Sequence, residues 1–206
     1  MVIQPLVEGH GELDAVPVML RRLQTEAGHY GFRVARPFRA PHDQLTSEAP
    51  LRSWVRLALG TVDCAGIIIV FDSDDDPACT VGPQVKNWAQ AEAGAVPCEV
   101  VLATREYEAW FISAIESLRG LRGIDHGAVS HATPETVRDA KGEVQARMTR
   151  GQFYSQRVDQ AALTAQVDLA EVHRRCRSFR RMVKAFGVLA QSTTGTPIPD
   201  WPPAGW

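Results

Sequence analysis

The sequence lacks the features that would assign it to several large classes of protein. It has only four cysteines and no CxxC pair, so neither a disulfide framework nor a cysteine-based zinc site is expected. Its longest apolar stretch, residues 65–71, is too short to cross a bilayer, and no basic segment with a cleavage site precedes Glu8. We therefore expect a cytoplasmic protein with no membrane partner.

An excess of charge and a nucleotide-binding loop are also missing. The 22 lysine and arginine residues are balanced by 24 aspartate and glutamate residues, which gives a net charge of −2. Contact with nucleic acid would therefore need a local cationic patch. No GxxxxGK[ST] motif is present, so any use of ATP would need a separate partner. With 45% hydrophobic and 22% charged residues, the composition is that of an ordinary globular protein.

Apolar segments that alternate with amphipathic segments predict an α/β fold. The predicted strands cover residues 2–7, 32–36, 66–71 and 98–103. The predicted helices between and after them cover residues 12–27, 47–59, 84–93 and 105–118. Because the connections are too long for hairpins, this alternation indicates a mostly parallel central sheet with helices on both faces.

The pattern changes after residue 118, where no further strand is predicted. A loop over residues 120–133 is followed by helical patterns at 135–148, 156–167 and 170–189. We predict a catalytic α/β domain over 1–118, a helical extension packed on it over 119–190, and an irregular Pro/Gly-rich tail over 191–206. Trp201 and Trp206 would pin that tail to the body of the protein.

Carboxylates follow each of the three strongest predicted strands. Glu8 and Glu12 follow the first, Asp72 and Asp74 the second, and Glu106 and Glu108 the third. Because the carboxyl ends of parallel strands lie along one edge of a sheet, we expect these groups to converge. If the chain stays extended beyond the second strand, Asp72 and Asp74 point to the same side.

Converging carboxylates need a cation. Two ionised carboxylates 4 Å apart repel each other by roughly 4 kcal/mol at an effective dielectric constant near 20. Oxygen ligands with no interleaved histidine or cysteine suit Mg²⁺ or Mn²⁺. The predicted metal ligands are Glu8, Glu12, Asp72, Asp74 and Glu106, of which Glu8, Asp72 and Asp74 are the predicted catalytic residues. The alternative for Glu12, Asp75, Asp76 and Glu108 is an ordinary helix cap or a solvated charge.

Cations are concentrated in the last predicted helix. Arg177, Arg180, Arg181 and Lys184 share one face of it, while Met182, Phe186 and Leu189 face inward. This pattern predicts a stripe that follows nucleic-acid phosphates. The alternative is the solvated or acid-paired face of an amphipathic helix. Arg105 and Lys141 are further predicted phosphate contacts, although Arg105 could equally pair with the neighbouring Glu106.

Four segments together carry a family resemblance: VEGHGE at 7–12, VFDSDDD at 70–76, REYEAWF at 105–111 and CRSFRRMVKA at 176–185. They resemble the bacterial family called domain of unknown function 4276, a Toprim-like group, over nearly the whole chain up to the tail. The resemblance implies a Toprim fold in which a glutamate after the first strand and a DxD motif after a later strand bind Mg²⁺ and act on phosphodiesters. Glu8 would take the first role, and Asp72 and Asp74 the second. Glu12 would match a second glutamate ligand found in the nuclease branch of the overcoming-lysogenisation-defect type.

The resemblance also implies a function. Toprim topoisomerases need a nucleophilic tyrosine from another domain and primases need zinc and basic domains, so in a chain of this length the nuclease remains. We expect DNA rather than RNA as substrate, a separately encoded ATPase as partner, and a role in DNA maintenance or phage defence, with a homodimer left open. The alternatives are a non-catalytic Toprim-like binding module and a haloacid-dehalogenase-like phosphatase. The phosphatase is disfavoured because a β–turn–α unit precedes VFDSDDD and no clear Thr/Ser and Lys motifs follow it.

Overall fold

A parallel sheet of five strands forms the centre of the computed structural model, which describes residues 1–206. The strands are β1 (Val2–Val7), β2 (Arg33–Val34), β3 (Phe38–Arg39), β4 (Cys64–Asp72) and β5 (Cys98–Ala103). Their order is β2-β1-β4-β5, with β3 pairing with β1, and every pairing is parallel. The predicted α/β class with a parallel central sheet is confirmed.

The central strand explains how the sheet separates two layers of core. In β4 the side chains of Ile68 and Val70 join one hydrophobic cluster, whereas those of Ile67, Ile69 and Phe71 join the other. Side chains of a strand alternate between the two faces, so a strand covered on both faces is apolar throughout. This is why the segment is an uninterrupted β-branched run.

Nine α-helices surround the sheet. They are α1 (Glu12–Ala27), α2 (His42–Leu45), α3 (Glu48–Leu59), α4 (Ala78–Ala93), α5 (Ala109–Ser113), α6 (Ala140–Ala146), α7 (Gln156–Thr164), α8 (Leu169–Arg175) and α9 (Arg177–Thr194). Apolar side chains of α3 and α4 cover one face of the sheet. Those of α1 and α9, with the other helices that follow the sheet, cover the second face. None of these helices combines the length and the apolar character needed to cross a membrane.

The helices after the sheet share one hydrophobic core with it. Trp110, Phe179 and Phe186 are fully buried there, in the same cluster as Ile3 and Val7 of β1. The irregular tail begins after Thr194 rather than at residue 191, because α9 continues to Thr194, and its Trp201 and Trp206 pack against this cluster. The Trp201 ring lies 5.1 Å from that of Phe186, and its Nε1 donates a hydrogen bond to the carbonyl of Val183 at 2.9 Å.

Several element boundaries differ from the prediction. The strand predicted at 32–36 is only two residues long, and after Pro37 the chain pairs with β1 again as β3, which was not predicted. Proline has no amide N–H, so it interrupts the ladder. The helix predicted at 105–118 is wrong in its first turn, because Arg105 has a positive φ of 64°. It consists of α5 followed by a 3₁₀ turn at Ile115–Leu118.

Two predicted helices also begin or divide differently. Helix α4 starts at Ala78, six residues before the predicted start at 84, and it accommodates Pro83 inside. The helix predicted at 170–189 is two helices, because the chain is extended at Cys176 between α8 and α9. By contrast, β1, α1 and β5 have the predicted bounds.

Candidate acidic metal site

A cavity of about 500 Å³ lies beyond the carboxyl ends of the strands, which is where open α/β sheets bind ligands. None of its eleven lining residues is hydrophobic. Three carboxylates line it, those of Glu8, Glu12 and Asp72, together with Lys141 and Arg157. We call this space the acidic cavity. It unites residues from the ends of two adjacent strands and from helices that follow the sheet.

The turn between β1 and α1 folds the Glu12 side chain back over the preceding backbone. Glu12 Oε2 accepts hydrogen bonds from the amide of Glu8 at 3.1 Å and from that of Gly9 at 2.8 Å. A Cβ atom on Gly9 would lie 3.0 Å from Glu12 Oε1, and one on Gly11 would lie 2.7 Å from the backbone carbonyl oxygen of Gln156 in α7. Glycine is therefore required at position 11 so that α1 can start against α7.

Asp72 ends β4 and is only 8% exposed. Its Oδ1 accepts a hydrogen bond from the Tyr107 amide at 2.8 Å, and its Oδ2 lies 3.7 Å from Lys141 Nζ. Burial raises the pKa of Asp72 well above its usual value, and the charges of Glu12 and Glu108 raise it further, although Lys141 partly opposes them. The site thus holds a carboxylate that its surroundings do not fully neutralise.

Glu12 is affected in the same way. Burial raises the pKa of this side chain to about 7, and the charges of Glu8 and Glu108 add to the effect of burial. The hydrogen bonds from the Gly9 and Glu8 amides only partly oppose this rise. Two carboxylates in one cavity therefore favour their protonated forms when no cation binds them.

Lys141, at the start of α6, contacts both Glu106 and Asp72. Its Nζ lies 3.0 Å from Glu106 Oε1, and its amide donates to Glu106 Oε2 at 2.9 Å. Burial lowers the pKa of Lys141, but the charges of Glu108, Glu106 and Asp72 outweigh burial and raise it. Lys141 is therefore a fixed cation that contacts the Glu106 and Asp72 carboxylates.

Asp74 belongs to a neighbouring group rather than to the group around Asp72. Ligand atoms of Glu8, His42 and Asp74 all lie within 4.8 Å of one another. The chain turns after β4, where the Ser73 amide donates to the Ala103 carbonyl and Asp74 adopts a positive φ of 47°. The extended geometry expected for Asp72 and Asp74 therefore ends at Asp72, and Glu8 is the residue that connects the two groups.

Four residues of the site were not assigned a functional role from the sequence, namely His42, Glu108, Arg39 and Arg157. His42 Nδ1 lies 3.2 Å from Glu8 Oε2, and it escaped notice because the strand before it, β3, was not predicted. Glu108, expected among the converging carboxylates but not named as a metal ligand, is fully buried, accepts a hydrogen bond from Tyr154 at 2.7 Å, and has no partner for its Oε2. Arg157 reaches the acidic cavity from α7, and no sequence pattern marked it.

The other predicted cations lie elsewhere. Arg105 pairs with Asp75 and donates to the Asp74 carbonyl at 3.0 Å. Arg177, Arg180, Arg181 and Lys184 line a separate cavity bounded by α4, β5 and α9, which we call the basic groove. The acidic cavity and the basic groove share no lining residue. The lysine and arginine residues that line the acidic cavity are therefore Lys141, Arg39 and Arg157.

The fold and the site define an α/β protein with an acidic cavity at the carboxyl end of a parallel sheet. The chain belongs to the family described as Domain of unknown function (DUF4276), whose model matches residues 7–186. No curated protein and no solved structure is significantly similar to it.

Proposed function

We propose that this protein is a divalent-metal-dependent phosphodiester hydrolase of the Toprim type that cleaves nucleic acid at the acidic cavity. One observation carries the proposal. Glu8, Glu12 and Asp72 are up to 64 positions apart in the sequence, yet they line one cavity at the strand ends, which has no hydrophobic lining residue. Buried carboxylates placed together at this edge of a sheet are typical of a functional site, because they destabilise the fold unless a cation binds them.

The residues present fit Mg²⁺ or Mn²⁺. Carboxylate oxygens are the preferred ligands of both ions, and the raised pKa values of Asp72 and Glu12 indicate that the site has too little positive charge of its own. Glu8, Glu12 and Asp72 would hold a metal in the acidic cavity. Glu8 also belongs to the neighbouring group with His42 and Asp74, whereas Glu106 is paired with Lys141. When bound, the ion would polarise the scissile phosphate and stabilise the leaving oxygen.

The chain's own residues supply binding and proton transfer. Arg39, Lys141 and Arg157 line the acidic cavity and provide cations for phosphate oxygens. Glu8 contacts His42 Nδ1 at 3.2 Å, which gives a carboxylate–imidazole pair that can take up and release a proton. Burial lowers the pKa of His42, but the hydrogen bonds to Glu8 and Asp76 and the charges of Glu8 and Asp74 outweigh burial and raise it.

Only the Toprim resemblance supports the choice of DNA over RNA, a partner ATPase, and a role in DNA maintenance or phage defence.

A second candidate function is favoured by Lys141. Its Nζ lies 3.7 Å from Asp72 and 3.0 Å from Glu106, so it partly supplies the positive charge that a metal would bring. A non-catalytic binding module that uses this lysine in place of a metal is therefore the alternative.

The experiment is a cleavage assay on supercoiled plasmid, linear duplex DNA, single-stranded DNA and RNA, with Mg²⁺, Mn²⁺ or EDTA. We expect cleavage with a metal and a fall of roughly 10²-fold or more in Asp72→Asn and Glu8→Gln. Asp14→Asn, an exposed carboxylate on α1, is the matched control and should cleave like wild type.

Two results would contradict the proposal. Metal binding without cleavage of any substrate would leave the non-catalytic module. Turnover of p-nitrophenyl phosphate without cleavage of nucleic acid, with a phosphorylated Asp72, would indicate a phosphatase instead.

A further inference from the structure

The basic groove is a cavity of about 890 Å³ at the free edge of the sheet. Its floor is β5, which has a neighbouring strand, β4, on one side only. Helices α4 and α9 form its two walls. The reaction proposed for the acidic cavity makes no use of this groove, so its features need a separate explanation.

The backbone of β5 that faces the groove is only partly hydrogen-bonded within the protein. The carbonyls of Pro97 and Ala103 accept hydrogen bonds from the β4 side, so positions 98, 100 and 102 face away from β4. The Cys98 amide donates to Gln90 Oε1, and the Val100 carbonyl accepts from Arg181 Nε at 3.1 Å. Leu102 receives no such partner, and its N–H and C=O form an unpaired edge position.

The walls of the groove carry more positive charge than the protein neutralises. Buried Glu99 pairs with Lys86 at 2.7 Å and with Arg181. The Glu135 carboxylate accepts hydrogen bonds from the amides of Arg177 and Ser178, both at 2.8 Å. Arg177, Arg180 and Lys184 are exposed and form no ion pair, and Arg180 donates only to the carbonyls of His173 and Arg174. Five cations thus face two carboxylates.

The floor between these cations is small and apolar. Ala78, Gly82 and Pro83 from α4 face Val100 and Leu102 of β5. A Cβ atom on Gly82 would meet Leu102 Cδ1 at 3.6 Å, so the absence of a side chain there leaves space above the strand. The groove therefore combines a free strand edge, an apolar floor and a cationic rim.

These features favour an acidic peptide over a single-stranded nucleic acid as the ligand of the groove. Proteins that bind single-stranded nucleic acid combine cations with aromatic side chains on which bases stack, and no phenylalanine, tyrosine or tryptophan lines the groove. An extended peptide would use the backbone edge for hydrogen bonds and the floor for alternate side chains. The cationic rim selects a peptide with acidic residues.

We propose that the basic groove is the docking site for an extended acidic segment of a partner protein, which pairs with the β5 edge and places apolar side chains between α4 and α9. This proposal is independent of the hydrolase proposed above. It changes the expected role of Arg177, Arg180, Arg181 and Lys184 from contact with nucleic acid to contact with a protein.

The probe is a short fluorescein-labelled peptide that alternates glutamate with valine, bound to the full-length protein and followed by fluorescence anisotropy. A peptide with lysine in place of glutamate and single-stranded thymidine and uridine oligonucleotides are the comparison ligands. We expect the acidic peptide alone to bind, with an affinity that falls as salt rises. On binding, amide hydrogen exchange at Leu102 should become slower.

Two groups of variants test the location. Arg177→Glu/Lys184→Glu should weaken binding by about tenfold or more, whereas Arg21→Glu/Arg36→Glu, exposed cations without ion pairs outside the groove, should bind like wild type. Gly82→Met would fill the floor without changing a charge and should weaken binding as well. Far-UV circular dichroism melts establish that each variant is folded.

Three results would overturn the proposal. Absence of peptide binding by the wild type would show that the groove does not accept such a segment. Peptide binding that survives both groove variants would place the interaction elsewhere. Oligonucleotide binding that is lost in Arg177→Glu/Lys184→Glu would make the groove a nucleic-acid surface instead.

Discussion

The acidic cavity and the basic groove differ in how fully cations neutralise the buried carboxylates next to them. In the groove, the carboxylate of Glu99 is 3% exposed, but two cations contact it. In the cavity, Asp72 is buried beside Glu12 and Glu108, and the single cation that contacts it, Lys141, is shared with Glu106. A buried carboxylate therefore has sufficient positive charge around it at the basic groove and too little at the acidic cavity.

This difference separates a structural charge from a functional one. A buried charge with sufficient partners stabilises the local packing and needs no ligand. A buried charge with too few partners raises the free energy of the folded chain until a proton or a cation binds. We therefore assign Glu99 to the architecture of the β5 edge, and Asp72 and Glu12 to ligand binding.

The largest expected effect is a loss of stability with rising pH in the metal-free protein. The folded chain keeps a proton on Glu12 up to about pH 7, whereas the unfolded chain releases it near pH 4.5. Stability must then fall between these two pH values, by about 3 kcal/mol for a shift of this size. The raised pKa of His42 acts in the same direction above pH 6.5.

The measurement is urea unfolding in EDTA at pH 5 and pH 8. Glu12→Gln retains an oxygen for the Glu8 and Gly9 amides but has no proton to release, so its stability should depend much less on pH. Equal wild-type stability at the two pH values would contradict the contrast between the cavity and the groove.

The next effect is stabilisation by the metal at pH 8. A ligand present at one hundred times its dissociation constant stabilises the folded state by about 2.7 kcal/mol, which corresponds to a rise in Tm of about 5–10 °C for a chain of this size. Thermal melts with Mn²⁺ and Mg²⁺ should show this rise for wild type and Asp14→Asn but not for Glu8→Gln/Asp72→Asn. An equal rise in the double variant would place the metal outside the cavity.

The smallest expected effect is a difference in stability between two variants, one that lacks a cation of the acidic cavity and one that lacks a cation of the basic groove. Lys141→Met leaves Asp72 without its cation and should destabilise the metal-free protein by about 2 kcal/mol, less than for a fully buried pair because Lys141 is partly exposed. Arg181→Met leaves Glu99 paired with Lys86, so the cost should be about 1 kcal/mol. Urea unfolding at pH 8 measures both. A larger cost for Arg181→Met would reverse our ranking of the two regions.

The elements with strong periodicity could be predicted from the sequence alone. The bounds of β1, α1 and β5 follow from their apolar patterns. The strand-end position of Glu8 follows from the apolar run of β1, and that of Asp72 from the apolar run of β4. The length of β2 and the existence of β3 could not be predicted, because these strands are two residues each and are held by pairing with β1 rather than by their own propensity. The position of His42 beside Glu8 could not be predicted for that reason.

The ion-pair partners of the charged residues could not be predicted from the sequence either. The ion pair between Glu106 and Lys141 joins positions 35 residues apart, and that between Glu99 and Arg181 joins positions 82 apart. No local pattern encodes such contacts, because they depend on how α6 and α9 pack on the sheet. The charge pattern of α9 predicted an exposed cationic stripe, and it could not indicate that Arg181 turns toward Glu99.

Lys141 and Tyr154 lie beyond the sheet in the chain, yet they touch carboxylates carried by the segments that follow β4 and β5. A polypeptide ending at Leu118 would retain every acidic group of the cavity and lose the ammonium and the hydroxyl that partner them. It would also expose the face of the sheet that the later helices cover. Residues 1–118 therefore depend on the later helices both for the partners of these carboxylates and for the cover of one face of the sheet.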